Sequence, residues 1–203
     1  MARPFEQLTD AELLQHYIQG DETAFREIVG RYKNGLYAFL KQFLNRTDLV
    51  EDVFQETFLQ LFTSRGSFDQ SRPLRPWLFT IAANKAKDAL RKSQRTSAVP
   101  IGAISDAQDM SFDEMLNSLG SDNTEPSDEL EKNETADRVN EVIAGIPENL
   151  REILILSYFN KFSYKQMADV LSIPIGTVKS RLHTAVARFA KDWKATVGSK
   201  EVK

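Results

Sequence analysis

Apolar residues recur along this chain at spacings of three and four, and they nowhere alternate over a useful length, so the pattern predicts helices and no strands. A first helical block runs from about Leu8 to Arg95. Thr9-Asp10-Ala11-Glu12 reads as a capping box that opens its first helix. Asp21 caps a second, whose apolar face carries Phe25, Ile28, Val29, Tyr32, Leu36 and Phe39. Asp48 caps a third, with Val50, Val53, Phe54, Thr57, Phe58, Leu61 and Phe62 on its inner side. A loop from Ser64 to Arg75 follows. Pro76 then takes the first position of a fourth helix that ends near Lys92.

A second helical block spans about Glu134 to Ala195. Pro147 starts a helix from Glu148 to Phe159, apolar on one side through Leu150, Ile153, Leu154, Leu156 and Tyr158. Ser163-Tyr164-Lys165-Gln166 is a second capping box. Between the blocks, residues 96–133 are rich in Ser, Asp, Asn, Glu and Gly and read as a flexible linker. Phe112, Met115, Leu116 and Leu119 interrupt it at helical spacing. A short docking helix and a transient apolar cluster fit them equally. The expected organisation is all-α: a domain over 1–95, an acidic linker over 96–133, a second domain over 134–195 and a tail over 196–203.

Composition agrees with that division. A chain of 203 residues has room for two modest domains, and 41% hydrophobic content suits two small cores better than one large one. There is no cysteine, which excludes disulfides, thiolate metal sites and cysteine nucleophiles. No apolar run reaches transmembrane length, and the N-terminus lacks a signal-peptide core, so a cytoplasmic protein is expected. The net charge of −3 hides an asymmetry. No Lys or Arg lies between Arg95 and Lys132, a gap that holds nine acids; outside it, 26 bases face 20 acids, a balance of +6.

The basic surplus has a focus. Ser163 to Phe189 reads as a short helix, a tight turn and a second, basic helix, the arrangement that puts a recognition helix into a DNA major groove. Ala168 is small where two helices cross. Leu171, Ile173, Val178 and Leu182 cover the pair's own core, and Pro174 and Gly176 make the turn. Lys165, Thr177, Lys179, Ser180, Arg181, His183, Thr184 and Arg188 are the candidate DNA contacts. Arg and Lys can bond guanine edges, while hydroxyls and a helix N-terminus suit phosphate oxygens. The plain alternative is an amphipathic hairpin with a solvated charged face. For His183 a surface histidine without function is as good a reading as a base contact.

Two further faces carry chemistry. Asp48, Glu51, Asp52, Gln55 and Glu56 share one side of the third helix. In isolation that row reads first as a solvated face; a carboxylate metal site is disfavoured because no histidine is near. The fourth helix carries Lys85, Lys87, Arg91 and Lys92, with Arg95 beyond and Asp88 opposing, a face that can track phosphates without reading sequence. Asn84 can bond a base edge. Phe68 can stack on an unpaired base or pin its loop to the core. Trp77 lies on the apolar stripe with Ile81 and reads as core.

Four ordered segments, Asp48 to Phe58, Arg75 to Lys92, Ile146 to Leu154 and Gly176 to Leu182, resemble the signature segments of bacterial RNA polymerase sigma factors. The similarity is to the small two-domain, extracytoplasmic-function (ECF) type, group 4 of the sigma-70 family, and it covers both helical blocks. It implies a non-enzymatic promoter-specificity factor without cofactor or metal. The first block would be a region 2-like helical bundle that binds core polymerase at the β′ clamp through Asp48, Glu51, Asp52, Gln55 and Glu56. It would handle the −10 element and melted strand through Phe68, Asn84, Lys85, Lys87, Asp88, Arg91, Lys92 and Arg95, with Ser64 to Arg72 forming a pocket wall for a turned-out base. The second would be a region 4-like helix-turn-helix that reads the −35 duplex and meets the β flap. An anti-sigma factor is also implied, and no membrane insertion.

There are departures. Ser172 stands where the family often has Gly, and serine is less suited to positive φ. The loop Asp69 to Arg75 is not a common version. Two rivals remain at this point: a helix-turn-helix regulator acting without core polymerase, and a metal-dependent hydrolase built on Asp48, Glu51, Asp52 and Glu56. No nucleophile–base pair or phosphate-cradling Gly loop supports the latter.

Overall fold

The computed structural model describes residues 4–64, 68–69, 72–95 and 128–198, and among these every regular element is helical. The helices are α1 (Asp10–Ile18), α2 (Glu22–Leu44), α3 (Thr47–Thr63), α4 (Leu74–Arg95), α5 (Asp128–Gly145), α6 (Glu148–Leu154), α7 (Tyr164–Leu171) and α8 (Ile175–Gly198). A short 3₁₀ turn, Phe5–Gln7, precedes α1, and a π turn, Ile155–Phe159, continues α6. Packing divides the chain into two units. One is Met1–Val99 with Lys165–Ile173; the other is Pro100–Tyr164 with Pro174–Lys203. Among the described residues no helix is long and apolar enough to cross a membrane.

Local chemistry sets the helix ends of the first unit. The capping box at α1 is complete: the Glu12 N–H donates to Thr9 Oγ1 at 3.3 Å, and the Thr9 N–H donates to Glu12 Oε2 at 2.7 Å. At α2 the Thr23 N–H donates to Asp21 Oδ1 at 2.9 Å. Asn45 ends that helix in the left-handed region, φ 51°, with its N–H on the Lys41 carbonyl. The cap expected at Asp48 is not there. Arg46 occupies the cap position of α3 and makes no side-chain cap bond, and Asp48 sits inside the first turn. The fourth helix likewise begins before Pro76, at Leu74, which leaves Pro76 in a first turn whose N–H groups lack intrahelical acceptors in any case.

α2 packs on α1, α3 and α4, and α3 packs on α4. The core between them holds Leu13, Leu14, Tyr17, Ile28, Leu36, Phe39, Leu61, Leu78 and Phe79. Phe39 stacks on Phe43 with centroids 5.8 Å apart and meets Phe79 at 5.5 Å. Of the residues expected on the inner side of α3, Phe62 is instead 47% exposed; its carbonyl accepts from Tyr17 Oη at 3.2 Å. Arg31 gathers the chain ahead of α1. Its Nε donates to Glu27 at 2.9 Å, Nη1 to Asp10 at 3.1 Å, and Nη2 to the carbonyls of Phe5 and Glu6. The neighbouring Tyr32 hydroxyl donates to Asp10, and burial, reinforced by that carboxylate, pushes the phenol well above its ordinary range.

In the second unit α8 packs on α5 and α6 over a core of Ile143, Ile153, Leu154, Val178, Ala185 and Phe189. Phe189 stacks on Trp193 at 6.0 Å. α5 begins at Asp128, inside the stretch read as linker; Asp128, Glu129 and Glu131 put negative charge at a helix N-terminus, where the dipole favours it. The helix expected from Glu148 to Phe159 widens into a π turn at Ile155. That turn leaves the Ile155 carbonyl to accept from both the N–H and Nδ2 of Asn160, at 3.1 and 3.2 Å. Lys161 then reverses the chain at φ 53°. Residues 96–127, with Phe112, Met115, Leu116 and Leu119, lie outside the described residues, as do the tail residues 199–203.

Candidate nucleic-acid interface

The acidic row of α3 is on the surface. Asp48, Glu51, Asp52, Gln55 and Glu56 are all exposed, while Val50, Val53, Thr57 and Phe58 on the opposite side are buried. The sequence dictates this split, because the apolar stripe must face α2 and α4 and the polar stripe is carried outward. Two of the row are engaged within the chain. Asp48 accepts from Arg46 Nη2 at 2.6 Å and Nε at 3.3 Å, and that guanidinium holds its carboxyl below the usual range. Glu56 accepts from Lys85 Nζ at 3.0 Å.

Arg46, which the sequence reading passed over, also donates from Nη1 to Ser93 Oγ at 2.5 Å and so ties the start of α3 to the end of α4. Between these helices lies a groove of about 690 Å³ with Arg46, Asp52, Glu56, Lys85, Asp88 and Lys92 in its walls. Its charges balance, three of each sign.

On α4 the candidate DNA face is mixed. Asn84, Asp88, Arg91 and Lys92 are exposed, and Lys85 and Lys87 are half-buried. Arg91 Nη1 donates to Asp88 at 3.1 Å. Asp88 therefore serves as a carboxylate partner of its own helix. Arg95 lies in the last turn of α4. Phe68 is buried, its ring 4.4 Å from that of Trp77, so here it pins the loop ahead of α4 instead of offering a free face. Trp77 is itself half-buried beside buried Ile81. Of the stretch proposed as a pocket wall, only Ser64, Phe68, Asp69 and Arg72 are described; Arg72 lies 3.7 Å from Asp69 in a loose exposed pair.

α7 and α8 follow each other across Ser172 to Pro174. The turn is made differently from expectation. Ser172 itself takes the left-handed conformation, φ 54°, while Gly176 lies inside α8 without a positive φ. The Ile173 N–H returns to the Ala168 carbonyl at 3.1 Å, and the Val178 N–H to Pro174 at 3.0 Å. α7 buries Met167, Val170 and Leu171 and leaves Lys165 exposed.

At the front of α8 Val178, Leu182 and Ala185 are buried; Lys179, Ser180, His183 and Thr184 are exposed, and Thr177 and Arg181 are half-buried. The first turn carries no acid, so the positive end of the helix is unopposed. Ser180 Oγ donates to the Thr177 carbonyl and Thr184 Oγ1 to that of Ser180, at 3.2 and 3.0 Å. A hydroxyl has one hydrogen, so each must rotate before it can donate to a phosphate.

Lys179 Nζ sits 6.0 Å above the ring of Tyr164, an exposed aromatic at the start of α7 that the sequence reading passed over; its place just after a capping residue was the available signal. Arg188 is turned away from this front, with Nε 2.6 Å from Asp192 one turn on.

Comparisons with known proteins fall on the same segments. The family described as Sigma-70 region 2 matches residues 28–96, and the one described as Sigma-70, region 4 matches residues 136–189. The ECF RNA polymerase sigma-E factor of Haemophilus influenzae is 32% identical over 180 residues, covering 89% of this chain and 93% of its own. The ECF RNA polymerase sigma factor SigW of Bacillus subtilis is 28% identical, with 81% and 86% covered. Among solved structures, CnrH in complex with the cytosolic domain of CnrY matches with a TM-score of 0.66 at 24% identity, over 92% of this chain and 97% of that one. The sigma factor RpoE of Bartonella quintana, solved with the anti-sigma factor NepR, matches with a TM-score of 0.61 at 24% identity, over 84% and 96%. At that identity the likeness shows the fold alone.

Proposed function

The chain belongs to the extracytoplasmic-function (ECF) sigma factors of bacterial RNA polymerase, and from that membership we propose how its surfaces divide the work of starting transcription. It confers promoter specificity on the polymerase; the chemistry of RNA synthesis stays with the core enzyme, and this chain supplies placement and strand opening. The exposed acids of α3, Asp48, Glu51, Asp52 and Glu56 with Gln55, meet basic and polar groups of the β′ clamp, where complementary charge sets encounter rate and partner choice. α4 runs along the −10 element and the opened strand through Asn84, Lys85, Lys87, Arg91, Lys92 and Arg95. α8 enters the −35 duplex with Lys179, Ser180, Arg181, His183 and Thr184, while Lys165 and Thr177 reach its backbone. The second unit also meets the β flap.

The observation that carries this reading is the order and placement of the two family matches: region 2 covers the helices with the acidic row and the basic face, and region 4 covers the turn and the acid-free front of α8. Two sites on one promoter, held by one chain, gain from effective concentration. Two of the structural relatives were solved with a partner that the names describe as an anti-sigma factor or a cytosolic domain. A protein inhibitor of that kind is proposed for this chain too, acting in the cytoplasm with the polymerase. The reading of an autonomous regulator is not favoured: it requires tight operator binding without core enzyme.

In vitro transcription on a genomic fragment library, with core polymerase plus or minus this protein, tests the proposal. Promoter-specific start sites that depend on the chain are expected. A protein that neither co-migrates with core enzyme nor changes where transcripts begin overturns it.

A further inference from the structure

Two of the surfaces assigned above meet at a single ion pair. Glu56 belongs to the acidic row of α3 and Lys85 to the basic face of α4, 29 residues further on; Lys85 Nζ donates to Glu56 Oε2 at 3.0 Å. The Glu56 side chain is 59% exposed and that of Lys85 only 24%. The carboxylate can therefore be approached from solvent, while the lysine stem lies along the protein and only its tip is free to swing.

The other acid of the α4 face, Asp88, is bonded to Arg91 at 3.1 Å, and Asp48 at the start of α3 is bonded to Arg46. Lys85 is thus the cation of α4 whose partner lies on the polymerase-facing row. At the front of α8, by contrast, no ion pair joins Lys179 or Arg181 to a carboxylate among the described residues.

We propose that Glu56–Lys85 is an exchange point: in the free chain Glu56 holds the Lys85 ammonium away from nucleic acid, and a cationic group of the polymerase that takes Glu56 releases Lys85 to a DNA phosphate. This rests on the assignment of Glu56 to the clamp face and Lys85 to the DNA face given above. One ion pair is exchanged for two, with no proton transferred and no helix moved. An exposed pair is weak, so the exchange is reversible and its effect on affinity is a few-fold.

The test uses the full chain without polymerase, a labelled single-stranded oligonucleotide of mixed sequence, and a salt titration. E56Q should bind about two- to five-fold more tightly than E51Q, which removes the same charge from the same row but leaves Lys85 paired. Its log-affinity should also fall more steeply with log-salt, by about 0.7, the increment for one additional phosphate contact on a single strand. Both gains should vanish in the double variant E56Q/K85M when it is compared with K85M. Equal affinities for E56Q and E51Q, or a gain that survives in the K85M background, overturn the exchange. A parallel measurement of core-polymerase binding separates the two levels. A wild-type chain that fails to bind core enzyme overturns the functional reading, whereas a chain that binds core while E56Q matches E51Q overturns the exchange alone.

Discussion

α4 and α8 are both cationic helices, yet they hold their charge differently. On α4, Lys85 is bonded to Glu56 and Arg91 to Asp88. At the front of α8, Lys179 rests over an aromatic ring and Arg181 forms no ion pair among the described residues, while Arg188, further along, is paired with Asp192. A carboxylate-paired cation must give up its partner before it can meet a phosphate; an unpaired one need not. The contrast fits a helix that waits for the polymerase beside one that presents itself to duplex DNA directly.

The largest effects should come from emptying either core. Phe39→Ala and Phe189→Ala each remove a fully buried ring and should cost about 3–5 kcal/mol, read as a lowered urea midpoint. If the division of labour holds, the first abolishes strand opening and core binding and the second abolishes −35 binding, each in its own unit. Loss of both functions in both variants would break the comparison.

Next in size is Arg181→Ala. It should cost about 1–3 kcal/mol at the −35 duplex and relax preference at one base pair, measured by binding to a set of single-base variants. Lys179→Ala should instead weaken all sequences alike and flatten the salt slope by about 0.9.

Ser172→Gly should raise stability by about 0.5–1 kcal/mol, because glycine takes φ 54° without the side-chain clash that serine bears there, in part offset by its looser unfolded chain. A calorimetric scan reads the gain, and unchanged −35 affinity would show that the turn is scaffold.

The smallest effect concerns Asp48. Its carboxyl is depressed in the folded chain, chiefly by the bond to Arg46. The linked stability is therefore present above the unfolded pKa and lost as pH falls through the folded one. Arg46→Ala should return Asp48 to the ordinary carboxylate range, visible in an NMR titration.

Much of the architecture was legible because it is local. Thr9 and Glu12 lie three residues apart, and their reciprocal bonds follow from that spacing alone. The misread starts have local causes as well. Asp48 has the chemistry of a cap, but a residue of that type also suits a first turn, and an arginine at the cap position gives no compositional signal. Pro76 is tolerated anywhere in the first turn, so it could mark the helix start only to within a few residues.

The pairing state of the charged faces was not legible. Glu56 and Lys85 meet only because α3 and α4 pack together, and a face drawn on a helical wheel does not reveal what crosses to it. The same holds for Phe68, whose ring could be assigned to stacking or pinning only once Trp77 was found beneath it.

The widened turn at Ile155–Phe159 has a consequence of another kind. It accommodates a residue beyond what a regular helix would use over that length. Deleting a residue there lets the helix close to its usual pitch and swings whatever follows by about 100° around the axis, carrying the exposed ring of Phe159 with it. Orientation past this point is governed by how many residues the chain spends, so insertion and deletion, more than substitution, are the changes by which descendants of this sequence can re-aim their second half.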